Sequence, residues 1–203
     1  MNIQKNKQIA IFGGAFDPPH LGHKFVADSL INSNIVDEVW FAPVFKHPWA
    51  DRYDKRKLVD YDLRVEMLEA MIGEEADGGV SAKQKVAHFK DVSFTYDTLI
   101  YFQKKHPEYT FSWVMGSEYL GRFDDFLAGH PKLLDFHFYI YPRAGCDFDQ
   151  NLLKENMTFL EDMEEIEVSS TEVKQRIKSG LSIESLVSEE VEEIIKENRL
   201  FVK

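Results

Sequence analysis

Cysteine is nearly missing from this chain: Cys146 is the sole one among 203 residues, so no intramolecular disulfide can form. Its setting, Arg143-Ala144-Gly145-Cys146-Asp147, offers no partner at metal-ligand spacing, so it reads as a free structural thiol. No apolar run reaches membrane length, and the short polar start has no signal-peptide pattern. The expectation is a soluble cytoplasmic protein with no membrane partner. Positive charge is in deficit, with 24 Lys and Arg against 35 Asp and Glu and a formal net charge of -11. That argues against nonspecific nucleic-acid binding, which depends on neutralising phosphates. A single nucleotide in a local cationic pocket is still allowed. Internal repeats and low-complexity tracts are also lacking. What is present is 44% hydrophobic residues, enough for a sizeable core. The length suits one domain, residues 1–203, with 150–203 as an acidic, mostly helical C-terminal subregion.

The most informative stretch is residues 9–23, I-A-I-F-G-G-A-F-D-P-P-H-L-G-H. A short apolar run reads as a buried parallel strand. Gly13 and Gly14 permit a sharp turn and leave room for a ligand against the backbone. Asp17-Pro18-Pro19 closes the loop and starts a helix. His20 and His23 then fall close together at the helix N-terminus, where free N–H groups favour anions. Strand end, helix start and two imidazoles together suit a nucleoside triphosphate. A zinc pair is the competing reading of the histidines, but no third ligand accompanies them.

Apolar runs alternate with amphipathic stretches. Strands are expected at 8–12, 38–42, 80–82, 110–115, 137–141 and 164–168. Helices are expected at 21–32, 61–71, 95–105, 151–156, 171–178 and 189–197, with 187–201 packing on the sheet. Strand-then-helix repetition implies an α/β fold with a doubly wound parallel sheet. Ligands on such sheets bind at the carboxyl ends of the strands. Residues 46–60 lack periodicity and read as a ligand-covering loop.

A second anion-side signal is Val168-Ser169-Ser170-Thr171-Glu172-Val173-Lys174-Gln175-Arg176-Ile177, which opens a helix. Its hydroxyls and free N–H groups can hold phosphate oxygens. Ser169 followed by Glu172 equally reads as a capping box that needs no ligand.

These two segments resemble the bacterial nicotinate-mononucleotide adenylyltransferases of the nucleotidylyltransferase superfamily. The H-x-G-H element is His20, Gly22 and His23, and S-S-T begins at Ser169. Between them, Asp37-Glu38-Val39-Trp40-Phe41-Ala42-Pro43 resembles the family's second strand. Arg64-Val65-Glu66-Met67-Leu68 resembles its R-x-x-M-L helix. Phe94-Thr95-Tyr96-Asp97-Thr98-Leu99 resembles the element that touches the mononucleotide, and Gly116-Ser117-Glu118 stands where the family has G-A-D. The resemblance implies a Rossmann-like nucleotidylyltransferase fold. It implies that ATP and nicotinate mononucleotide give nicotinate adenine dinucleotide and pyrophosphate, with Mg2+ bridging the phosphates and no protein metal site. It places Gly13, Gly14, Phe16, His20, His23, Gly116, Glu118, Ser169, Ser170, Thr171 and Lys174 on ATP, with His20 and His23 catalytic. It places Ala15, Lys46, His47, Lys57, Arg64, Thr95, Tyr96 and Trp113 on the mononucleotide. Trp49, Trp113 and Phe126 are candidates to stack on the pyridine ring. Thr95 also reads as a helix cap.

The chain departs from the family at three places. Lys174 replaces an arginine, keeping the charge but losing the bidentate fork. Glu118 replaces an aspartate. Lys46-His47-Pro48-Trp49, with Lys57-Leu58 further on, replaces the P-P-H-K loop. Two alternatives remain: adenylyl transfer to nicotinamide mononucleotide or another phosphorylated acceptor such as phosphopantetheine, and a nucleotide sensor without turnover. A homo-oligomer is compatible with the sequence.

Overall fold

The structure, a computed structural model, describes residues 6–46, 58–73, 79–91, 94–127, 130–146 and 149–202. Its centre is a six-stranded parallel sheet of β1 (Lys7–Gly14), β2 (Glu38–Pro43), β3 (Gln84–Val86), β4 (Tyr109–Gly116), β5 (His137–Tyr141) and β6 (Met157–Phe159). The strand order is β3-β2-β1-β4-β5-β6. The helices are α1 (Leu21–Asn32), α2 (Tyr61–Ile72), α3 (Thr95–Lys105), α4 (Phe123–Leu127), α5 (Ser170–Lys178) and α6 (Glu189–Glu197).

β1 shows why the sheet is buried on both faces. Ala10 and Phe12 face a core that includes Val26 and Leu30 of α1, Met67 and Leu68 of α2, Val173 of α5, and Val191 and Ile195 of α6. Ile9 and Ile11 face the opposite core, with Leu99 and Phe102 of α3 and Phe123 of α4. Period-2 side chains with helices on both faces require an apolar residue at every position, so the run is continuous. The strand order runs outward from β1 through β2 to β3, then restarts at β4 on β1's other side. The carboxyl ends of β1 and β4 therefore flank the switch point where such sheets open a crevice.

Three expectations are corrected. Residues 80–82 are not a strand. Ser81–Lys83 form a 3-10 turn, and the edge strand follows at Gln84–Val86, pairing Val39 with Gln84. Its polar Gln-Lys start hides it from an apolar-pattern search, yet Gln84 is buried and donates to the Asp28 carboxylate. Residues 151–156 are not a helix. Asp149 accepts the Asn151 N–H and caps a single 3-10 turn, Gln150–Leu152, and the chain then enters β6, pairing Phe138 with Met157. Residues 164–168 are not a strand, since only Ile166 bridges, to Arg143. The stretch from Gln150 thus completes the sheet as well as adding α5 and α6, and α6 lies against α2.

Candidate active site

The loop leaving β1 is built on aromatic rings. A Cβ on Gly13 would collide with the Trp113 indole, and one on Gly14 would sit 3.1 Å from the Phe16 ring. The space expected for a ligand at Gly13 is therefore occupied by Trp113, which is half-buried on β4. The left-handed residue of the turn is not a glycine but Phe16, at φ 47, a conformation that costs a non-glycine residue about 1–2 kcal/mol. The strain is offset by burial. Phe16 is 2% exposed and meets the rings of Phe12, Phe41 and His23 edge-on.

His20 is the N-cap of α1 and His23 its third residue. Their rings stack at 3.6 Å with an interplanar angle of 21°. The His20 backbone N–H donates to His23 Nδ1 at 3.2 Å. That bond assigns Nδ1 as the acceptor, so in the neutral ring the proton sits on Nε2, ready to donate. Gly22 is what allows the spacing: a Cβ there would lie 2.7 Å from Ile166 Cγ2 and 3.1 Å from His20 Nδ1.

Burial holds both rings neutral. It pushes the His20 imidazole down to about 3, helped by the positive charge of Arg143. It lowers His23 well below the ordinary range, with His20 and then Arg143 adding to the effect. A histidine depressed in the folded state binds fewer protons than in the unfolded chain, so stability rises with pH across the gap. Its contribution is complete above about pH 6.5, the unfolded value, and is lost as the pH falls towards 3. We expect no titration of either imidazole by 15N NMR between pH 8 and pH 5. His20→Gln should flatten the fall of unfolding free energy below pH 6 by up to about 1.4 kcal/mol per pH unit. Imidazole midpoints near 6.5 would contradict this.

The positive charge that acts on the two uncharged imidazoles is that of Arg143, just beyond β5. Its backbone N–H donates to Ser117 Oγ at 3.0 Å, and its guanidinium donates to the Val168 carbonyl at 2.7 Å. Its charge acts on His20, His23 and Glu118. In the sequence Arg143 stands out only as a neighbour of Cys146. The usable signal was its place, a cation two residues past a buried parallel strand. Glu118 folds back over Gly116, and burial raises its carboxyl above the usual range, against Arg143 and its own backbone N–H. His20 Nδ1 and Glu118 Oε2 are both buried without a hydrogen-bond partner among the described residues. Orphaned polar atoms at one sheet end are where a ligand's polar groups are expected.

The first turn of α5 closes one side. Ser169 Oγ accepts the Glu172 N–H at 3.2 Å, the capping interaction, and Ser170 Oγ donates to the Pro18 carbonyl at 2.8 Å. Thr171 is exposed. Lys174 Nζ lies 2.8 Å from Asp17 Oδ2. Arg176 turns away to Glu172 and the Ser182 carbonyl.

On the other face, Thr95 and Tyr96 are the first two residues of α3. The cap residue is Phe94, not Thr95, and Phe94 has no side-chain oxygen to give the first turn. Tyr96 stacks on His130 at 5.0 Å. Arg64 is placed differently from expectation. Its side chain is 1% exposed and donates to three carbonyls: Val59 at 2.9 Å, Ala15 at 2.6 Å and Val44 at 2.7 Å. It is a buried clamp on the loops around the site rather than a group open to a mononucleotide. Ala15 takes part through its clamped carbonyl, and Lys46 is exposed. His47, Trp49, Lys57 and the Phe126 side chain lie outside the described residues. Among the described residues, no three His, Cys, Asp or Glu side chains gather where a metal ion could sit, and no helix is long and apolar enough to cross a membrane.

The family model of cytidylyltransferase-like proteins matches residues 11–176, from β1 through α5. The chain belongs to this family. Among its relatives is a protein of Bacillus pumilus, 33% identical over 201 residues, covering 96% of this chain and 98% of the relative. Another, from Halalkalibacterium halodurans, is 30% identical over 196 residues, covering 96% and 91%. Each is named a probable nicotinate-nucleotide adenylyltransferase. In this cytidylyltransferase-like family the fold agrees too. The structure of Plasmodium falciparum nicotinic acid mononucleotide adenylyltransferase complexed with NaAD superposes with a TM-score of 0.79 at 22% identity, over 96% of this chain and 97% of that one.

Proposed function

We propose that this chain transfers the adenylyl group of ATP to nicotinate mononucleotide, giving nicotinate adenine dinucleotide and pyrophosphate in NAD biosynthesis in the cytoplasm. The acceptor's 5′-phosphate oxygen bonds to the α-phosphorus of ATP as the bond to the β-phosphate oxygen breaks. The attacking phosphate is already an anion near neutral pH, so no general base is required. What the reaction needs is alignment and donors for the charge that moves onto the leaving pyrophosphate. The observation that carries the reading is the stacked, neutral His20–His23 pair at the switch point, with the charge of Arg143 acting on it. A neutral imidazole donates its N–H to developing charge without having to give up a proton.

In this reading His23 serves the reacting phosphates, and His20, Arg143 and the first turn of α5 hold the triphosphate. Glu118 meets the ribose hydroxyls of ATP. Thr95 and Tyr96 begin a helix whose N–H groups suit the nicotinate carboxylate. Adenylyl transfer from ATP generally uses a divalent cation. Mg2+ would arrive with ATP and neutralise charge on its phosphate oxygens.

Purified protein with ATP, Mg2+ and nicotinate mononucleotide is expected to release pyrophosphate, and to do so more slowly with nicotinamide mononucleotide. Equal rates would remove the nicotinate assignment. No release with any acceptor, phosphopantetheine included, would turn the reading to a nucleotide sensor.

A further inference from the structure

We infer that Lys174 and Asp17 form a positioning couple. It ties α5, on the triphosphate side, to the rim of the acceptor side, and it keeps the Lys174 ammonium on Asp17 rather than on the triphosphate. The inference rests on the proposed reaction only for what the two sides bind.

Lys174 Nζ meets Asp17 Oδ2 at 2.8 Å, where the Asp17 side chain is 6% exposed and that of Lys174 26%. The other Asp17 oxygen accepts the Val59 N–H at 3.2 Å. Val59 returns its carbonyl to Arg64 Nε at 2.9 Å, so its N–H and its carbonyl are both gripped. Arg64 goes on to the carbonyls of Ala15 and Val44. A continuous line of polar contacts thus runs from α5 through Asp17 and Val59 to Arg64, and from there to the ends of β1 and β2. Ser170 adds a second tie from α5 to the same loop at Pro18.

Drawing Lys174 towards a phosphate would undo this line. It would leave a buried carboxylate beside Arg64, whose N–H groups already serve three carbonyls. Lysine suits the task. A compact ammonium can serve one carboxylate oxygen while the other stays free for Val59, whereas a guanidinium fork tends to take both. The Phe201 ring, 5.5 Å from Nζ, braces the ammonium from α6's side.

The test compares Lys174→Met, Lys174→Arg, Asp17→Asn and the Lys174→Met/Asp17→Asn double variant in the full chain. Amide hydrogen exchange is read over residues 58–64, and KM for each substrate. Lys174→Met is expected to speed exchange at Val59 about tenfold and raise the acceptor KM about fivefold, with the KM for ATP within about twofold. Asp17→Asn should do the same, the double variant should add little to the larger single effect, and Lys174→Arg should restore part of the protection. A raised KM for ATP with unchanged Val59 exchange would make Lys174 a phosphate ligand and overturn the couple. Additive effects in the double variant would overturn it as well. If Asp17→Asn fails to fold, Lys174→Met alone still decides. The exchange readout needs no turnover, so an inactive wild-type protein would sink the proposed reaction and leave this question answerable.

Discussion

Replacing His23 with alanine is expected to lower kcat for pyrophosphate release about a hundredfold or more, the usual loss when one preorganised donor to developing charge is removed. The ring is fixed from three sides. It stacks on His20, meets Phe16 edge-on at 4.9 Å, and takes the His20 N–H on Nδ1. Its remaining N–H is therefore set before substrate arrives, and that preorganisation is what alanine removes. Circular dichroism should show the fold retained. His23→Gln, which keeps an N–H donor without the ring contacts, should fall between wild type and alanine. Turnover within about tenfold of wild type in the alanine variant would withdraw the role given to His23.

Arg64→Met should be the most damaging of the single changes to stability. Methionine fills much of the volume but leaves the carbonyls of Ala15, Val44 and Val59 without their donor. A buried group left unpaired costs about 1–3 kcal/mol, so the sum is at least about 3 kcal/mol. For a domain of this size that lowers Tm by about 6–12 °C. Arg64→Lys should recover little, because one ammonium cannot span three carbonyls held in different directions. The measurement is thermal unfolding of both variants beside acceptor KM. A raised acceptor KM with unchanged Tm would return Arg64 to the mononucleotide.

Arg64 also shows why the two sides of the site differed in how far sequence could reach. A cation on a helix, four residues into an amphipathic stretch, looks the same in sequence whether it meets a phosphate or a carbonyl. The choice depends on three loops converging on it from sequence separations of 5, 20 and 49 residues. The histidine pair was easier to read, because its geometry is local. A strand end, a turn and a helix start bring His20 and His23 together whatever the rest of the chain does. Lys174 and Asp17 lie 157 residues apart, and nothing near either one announces the other. Arg143 is inconspicuous in the sequence for a similar reason: its place near the histidines comes from β5 lying beside β4.

The two strands that the apolar pattern does not locate share a cause. β3 and β6 are edge strands of three residues each, with polar or mixed composition. Their pairing with β2 and β5 is what makes them strands, and a short segment with no periodicity of its own carries no record of a partner.

By itself the sequence determined the doubly wound α/β architecture, the place of the four long apolar strands, and the loop and helix start that carry the two histidines. Apolar period and turn chemistry act over a few residues and do not wait for the fold. The tertiary structure alone decided which cations are spent on partners inside the protein and which one acts on the histidine pair. Burial and long-range pairing set that division: they hold the histidines neutral, lock Arg64 onto carbonyls and Lys174 onto Asp17, and leave Arg143 to act on the site.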